Sequence, residues 1–227
     1  MKAQIVLSMV LVVFMIGGCV PLPDVGEILS QVSVTGSGNV ITKEFDLSGF
    51  DQVEVTGAFF AEITQGDSFD VVVRVDEKLE EYLRVQVAGQ TLEVGMTPNL
   101  SILGTATRQV EITMPELTGL ELSGATQGTI SGFDSTADLT VEVSGASKLD
   151  GDIQAGDCSF DVSGASTVDL SGSGEGLVLD ASGASTAKVN VSGRLDAEAS
   201  GASHVVYLGN PTLGRIDSSG ASSIEQG

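Results

Sequence analysis

The chain has 227 residues, with 31 Asp and Glu against 10 Lys and Arg, a formal net charge of −21, no Trp, two Tyr and two Cys. Its basic residues are scattered singly from Lys43 to Arg215, which excludes a nucleic-acid binder or an anionic-lipid surface as partner, because both need clustered Lys and Arg. Two cysteines exclude a disulfide framework.

The first predicted element is a leader. Lys2 precedes the apolar run "IVLSMVLVVFMI" at 5–16, and small residues lead to Cys19. A run this short falls below the ~20 residues of a spanning helix, so residues 1–18 read as a signal peptide. Ile16-Gly17-Gly18-Cys19 resembles the lipobox of bacterial lipoproteins. The resemblance implies cleavage before Cys19, a thioether-linked lipid on its sulfur and a membrane anchor without a transmembrane helix. An ordinary secretory signal with an incidental cysteine stays open. Residues 19–35, with two prolines, read as a tether. The protein is expected in the cell envelope, and Val20 in place of an aspartate fits the outer membrane if the cell has one.

Residues 36–227 are expected to form a single domain. In its first part, 36–118, "FDQVEVTGAFFAEITQG", "SFDVVVRV", "LRVQVAGQTLEVGM" and "RQVEITM" alternate as strands do. "VDEKLEEYLR" predicts one short helix near 76–84, and 98–108 reads as a loop. This part is read as the first, irregular coils of the structure that follows.

The second part, 119–227, repeats. "LELSGAT" from 120 is followed by "VEVSGAS" from 141, "FDVSGAS" from 160, "LDASGAS" from 179, "AEASGAS" from 197 and "IDSSGAS" from 216. Units of about 19 residues are too small to bury a face alone and must stack. Each carries a period-two stretch before the small-residue corner and another after it, where Leu149, Val168, Ala187 and Val205 are expected inside. The predicted fold is therefore all-β: a parallel β-helix, or β-solenoid. Gly124, Gly145, Gly164, Gly183, Gly201 and Gly220 mark its corners, where φ is positive or a side chain would clash. The alanines that follow them, from Ala125 to Ala221, are expected to stack inside the bend.

The stack makes one chemical feature. Glu121, Glu142, Asp161, Asp180, Glu198 and Asp217 fall in one outward column. At the sheet spacing of roughly 4.8 Å, each neighbouring repulsion costs about 0.9 kcal/mol in water before screening. Three readings stay open: a solvated acidic face, loose Ca²⁺ binding, and the footprint of a partner. No cofactor is expected, and no metal ligand set is assigned.

Nothing in the sequence marks an enzyme. The acids are regular rather than clustered, His204 follows a repeat corner, and Cys158 shares strand parity with Phe160 and points inward in an acidic stretch.

The run from Phe45 to Met96 followed by Ser-Gly-Ala units, above all Gly49-Phe50-Asp51 through Gln65-Gly66-Asp67, resembles the auto-transporter adhesin family with the head GIN domain. The resemblance covers the chain from about Val40 onward. It implies a right-handed β-helix, export and a role in adhesion, and it carries over no catalytic residues. The functional expectation is a lipid-anchored, non-catalytic binding module whose faces meet an envelope or extracellular protein or a glycan. A structural or self-associating envelope protein is the alternative and a polysaccharide-acting β-helix enzyme the remote one; the oligomeric state is left open.

Overall fold

Alternation of apolar and polar residues shapes nearly every element of the computed structural model, which describes residues 32–227. The leader 1–18, Cys19 and tether residues 19–31 lie outside the described residues. In chain order the first part holds β1 (Val32–Thr35), β2 (Val40–Phe45), β3 (Gln52–Thr56), β4 (Phe60–Gln65), β5 (Asp70–Asp76), β6 (Leu83–Ala88), β7 (Thr91–Met96), β8 (Leu100–Leu103) and β9 (Arg108–Met114). The second holds β10 (Gly119–Ser123), β11 (Gln127–Asp134), β12 (Leu139–Val143), β13 (Lys148–Val162), β14 (Thr167–Ala181), β15 (Thr186–Ala199), β16 (His204–Leu208), β17 (Thr212–Ser218) and β18 (Ser223–Gln226). The fold is all-β, and sixteen of these strands join one sheet.

Equal steps in sequence put equivalent residues side by side. Leu120 of β10 lies beside Val141 of β12, Val141 beside Phe160, Phe160 beside Leu179 and Leu179 beside Ala197, all in parallel register. After the corner, Leu149, Val168, Ala187 and Val205 form a second inward column, each fully buried. Burying one such Val or Leu contributes about 1.5–3 kcal/mol, and the repeat multiplies that gain. Gly128 opens a gap in the second column because Leu122 fills it: a Cβ at Gly128 would come within 2.5 Å of the Leu122 δ-methyl.

The first part departs from the expected continuation of the stack. β3 and β4 do run parallel to β10 and β11, and β7 and β9 run parallel to β3 and β4 on their other side. Strands β2, β5 and β6, however, are antiparallel: β2 to β5, β5 to β9 and β6 to β7. The reason is visible for β6, because only Gly89 (φ 65°) and Gln90 connect it to β7, and a two-residue loop can join strands only as a hairpin. These strands border the parallel rungs at one end.

The segment expected as a short helix is a 3-10 turn, Glu77–Tyr82, with Leu79 as its one buried residue. Asp76 caps it by accepting from the Lys78 N–H, and one apolar contact per turn does not sustain a longer α-helix. The stretch 98–108, read as loop, contains β8, which pairs with β1.

The corners hold a further correction. Ala125, Ala146, Ala165, Ala184, Ala202 and Ala221 are exposed, and the residue after each of the first five, Thr126, Ser147, Ser166, Ser185 and Ser203, is buried instead. At the first and last of these the hydroxyl bridges the bend, Thr126 Oγ1 donating to the Ser123 carbonyl at 2.8 Å and Ser203 Oγ to that of Ser200 at 2.8 Å, whereas Ser166 Oγ and Ser185 Oγ have no partner. An alanine methyl there could not satisfy that carbonyl.

Candidate functional site

The outward carboxylates are positioned by the same register that builds the core. Glu121 pairs with Glu142, Glu142 with Asp161, Asp161 with Asp180, Asp180 with Glu198, and Glu198 with Asp217. The column runs on beyond the repeats: Glu121 also lies beside Glu54, and Glu54 beside Glu93. Eight acidic residues thus stand in one file. The two added members were legible in "VEVTGA" at 53–58, which matches the repeat pattern, and in "LEV" at 92–94.

Like charges in adjacent strands destabilise, and the ends of the file are where neutral or positive groups meet it. Gln86 donates to Glu93 at 2.7 Å at one end. At the other, Arg215 contacts Glu198 and also Asp217, the latter at 2.6 Å. Between these ends, burial raises the Glu121 pKa above its ordinary value, and the charges of Glu54 and Glu142 push it the same way. Serines flank the file, since Ser144, Ser163, Ser182 and Ser200 sit two residues further along each strand. The surface is therefore a strip of carboxylates beside a strip of hydroxyls. Among the described residues, no three His, Cys, Asp or Glu side chains converge as a cage for a metal ion.

The six corner glycines also stack. Each has φ between 71° and 77°, a region that costs a residue with a Cβ roughly 1–2 kcal/mol. A Cβ on Gly183 would lie 2.5 Å from the Gly164 carbonyl oxygen, and that oxygen accepts the Ala184 N–H at 2.7 Å. The family described as "Putative auto-transporter adhesin, head GIN domain" matches residues 49–183, from the turn before β3 through this corner. The chain belongs to that family.

Three solved structures share the fold of this head GIN domain. A putative adhesin from Bacteroides fragilis superposes with a TM-score of 0.69 at 17% identity, covering 85% of this chain and 99% of its own. A putative adhesin from Parabacteroides merdae gives 0.58 at 17% identity, with 86% and 99% covered. A putative lipid binding protein from Parabacteroides distasonis gives 0.58 at 19% identity, with the same coverage. No curated protein matches the chain.

The remaining reactive side chains are held in structural settings. Burial pushes the Cys158 thiol up to about 11, with Asp157 and Asp138 adding to the shift, so the thiolate that nucleophilic chemistry needs is scarce at neutral pH. His204 Nδ1 lies 2.7 Å from Ser223 Oγ in the next rung and its Nε2 lies 3.5 Å from Glu225.

Proposed function

We propose that this protein is exported, is held in the cell envelope by lipid on Cys19, and presents the outward faces of a right-handed parallel β-helix as a non-catalytic adhesion surface. The observation that carries the reading is the file of eight in-register acids beside a file of serines. It is a long, repetitive face, suited to a repetitive or extended partner rather than to a small substrate. Membership of an adhesin-named family supports the same direction, and the leader motif supports the anchor and, with Val20, the outer membrane. The partner class is an envelope or extracellular protein or a glycan, met by basic groups or through loosely held Ca²⁺.

Protease shaving of intact cells tests display: the protein should be lost from wild-type cells, and Cys19→Ala should release it into the medium. Calorimetry with Ca²⁺, against a chain whose ladder acids are changed to Asn and Gln, tests the cation route. Identical traces would end it. Self-association through the last coil is a second reading, favoured by Leu213 of β17, which is 50% exposed although its neighbour Leu195 is fully buried. Against it, β17 bulges where it passes Asp196, and a bulged edge is a poor template for another strand. Sedimentation at increasing concentration separates the two.

A further inference from the structure

In a chain this acidic, a cation without a carboxylate needs explaining. Lys43, Arg74, Lys148, Lys188, Arg194 and Arg215 all stand in ion pairs. Among the described residues Lys78, Arg84 and Arg108 do not, and the two arginines point to one place. Arg108 lines an open cleft of about 340 Å³, whose wall includes Met96, Leu100 and Ile102. Arg84 reaches the rim through a long contact, 3.4 Å, with the hydroxyl of Thr97, which also lines the cleft.

Two further features meet there. Arg108 donates from one terminal nitrogen to the Gly57 carbonyl at 3.1 Å, but its Nε is enclosed and has no hydrogen-bond partner. A buried donor left unpaired is rare and calls for an explanation. In addition, the described residues other than glycine with positive φ are Ala58, Asn99 and Ala125, at 60°, 63° and 77°. The first two line this cleft, and the third follows Gly124, which lines it too. Strain of this sort persists only where the surroundings impose it, and it gathers at ligand sites.

We propose that this cleft binds a monocarboxylate with a short apolar tail, the carboxylate set on the Arg108 guanidinium and the tail against Met96, Leu100 and Ile102. A guanidinium presents a planar fork that fits a carboxylate, the thioether of Met96 adapts to varied chains, and Thr56 and Thr97 stand in the same wall. Burial lowers the Arg108 pKa with no carboxylate to offset it, yet an arginine stays charged at neutral pH. The site lies apart from the acidic file and does not depend on the adhesion reading.

The test titrates the full chain with octanoate, acetate and 1-octanol, following the Arg108 Nε–H and the Gly57 and Ala58 amides by nitrogen–proton correlation spectra. Octanoate should give saturable shifts at roughly tenfold lower concentration than acetate or octanol. Arg108→Gln should weaken octanoate at least about tenfold. Ile102→Glu, which places a carboxylate of the chain's own in the cleft, should abolish binding while the melting curve shows the fold intact; it decides the matter if Arg108→Gln does not fold. The proposal is overturned if octanoate fails to saturate, if octanol binds as well as octanoate, or if binding survives Ile102→Glu.

Discussion

Asp76 ties the segment between β1 and β2 to the end of β5 through Ser37, accepting the Ser37 backbone N–H at 2.8 Å and its hydroxyl at 3.0 Å. The same carboxylate accepts the N–H groups of Gly38 and Lys78 and is wholly buried. Burial alone would raise its pKa, but the bonds from Gly38, Lys78 and Ser37 prevail and hold it below the ordinary 3.8. A depressed carboxylate lends stability that is present above its unfolded value and is lost as pH falls through the folded one. Urea unfolding of the wild type should therefore show a falling midpoint below about pH 3.8. Asp76→Asn should lower the midpoint at pH 7 and flatten that acid slope, since an amide has only one acceptor oxygen for four donors.

The acidic file acts in the opposite sense. Glu121 has a raised pKa, so its contribution to stability is full below the unfolded value of 4.5 and is lost as pH rises through the folded one. Glu121→Gln should stabilise the protein at pH 7 and low salt by about 0.5–1 kcal/mol, a figure already discounted for solvent screening. Thermal unfolding should show the gain shrinking in 1 M salt and vanishing below pH 4.5.

Gly183→Ala combines two penalties, positive φ and a Cβ pressed on the Gly164 carbonyl. Denaturant curves should show a loss of roughly 2–4 kcal/mol. Ala184→Ser, one residue on and exposed, should be nearly neutral.

The buried serines separate hydrogen bonding from packing. Ser203 Oγ lies 2.8 Å from the Ser200 carbonyl and 3.0 Å from that of Ala181, whereas Ser185 Oγ has no partner. Ser203→Ala should cost about 1 kcal/mol, while Ser185→Ala should be neutral or slightly stabilising, because it removes a buried group that gains nothing. Equal losses at both sites would show that Ser185 rotates onto the corner carbonyl in solution.

The regular rungs are legible in the sequence because a fixed step and a period of two leave little choice: once Leu149 faces in, so do Val168 and Ala187, and the acids two residues before each corner serine must fall in file. Counting back by two from Leu149 also reaches Ser147, not Ala146, so the buried serine was available from the same rule that fixed the strands. What alternation does not encode is direction. An antiparallel β6 and a parallel β7 carry the same pattern, and only the length of the loop between them separates the cases. The Arg108 cleft is less legible still. Whether an arginine has a carboxylate partner depends on residues far away in sequence, and the left-handed Ala58 and Asn99 bear no mark that differs from an ordinary turn.

The order of the rungs differs from their order along the chain, since β3 lies between β7 and β10. A nascent polypeptide leaving the ribosome cannot complete the flanks of β3 and β4 when they emerge, for both neighbours are still unsynthesised. Closure waits until β11 is out, after which every later rung can add singly onto a finished template. Biogenesis thus divides into one long, unprotected interval and a run of short ones, and holdase chaperones have most to protect in the first.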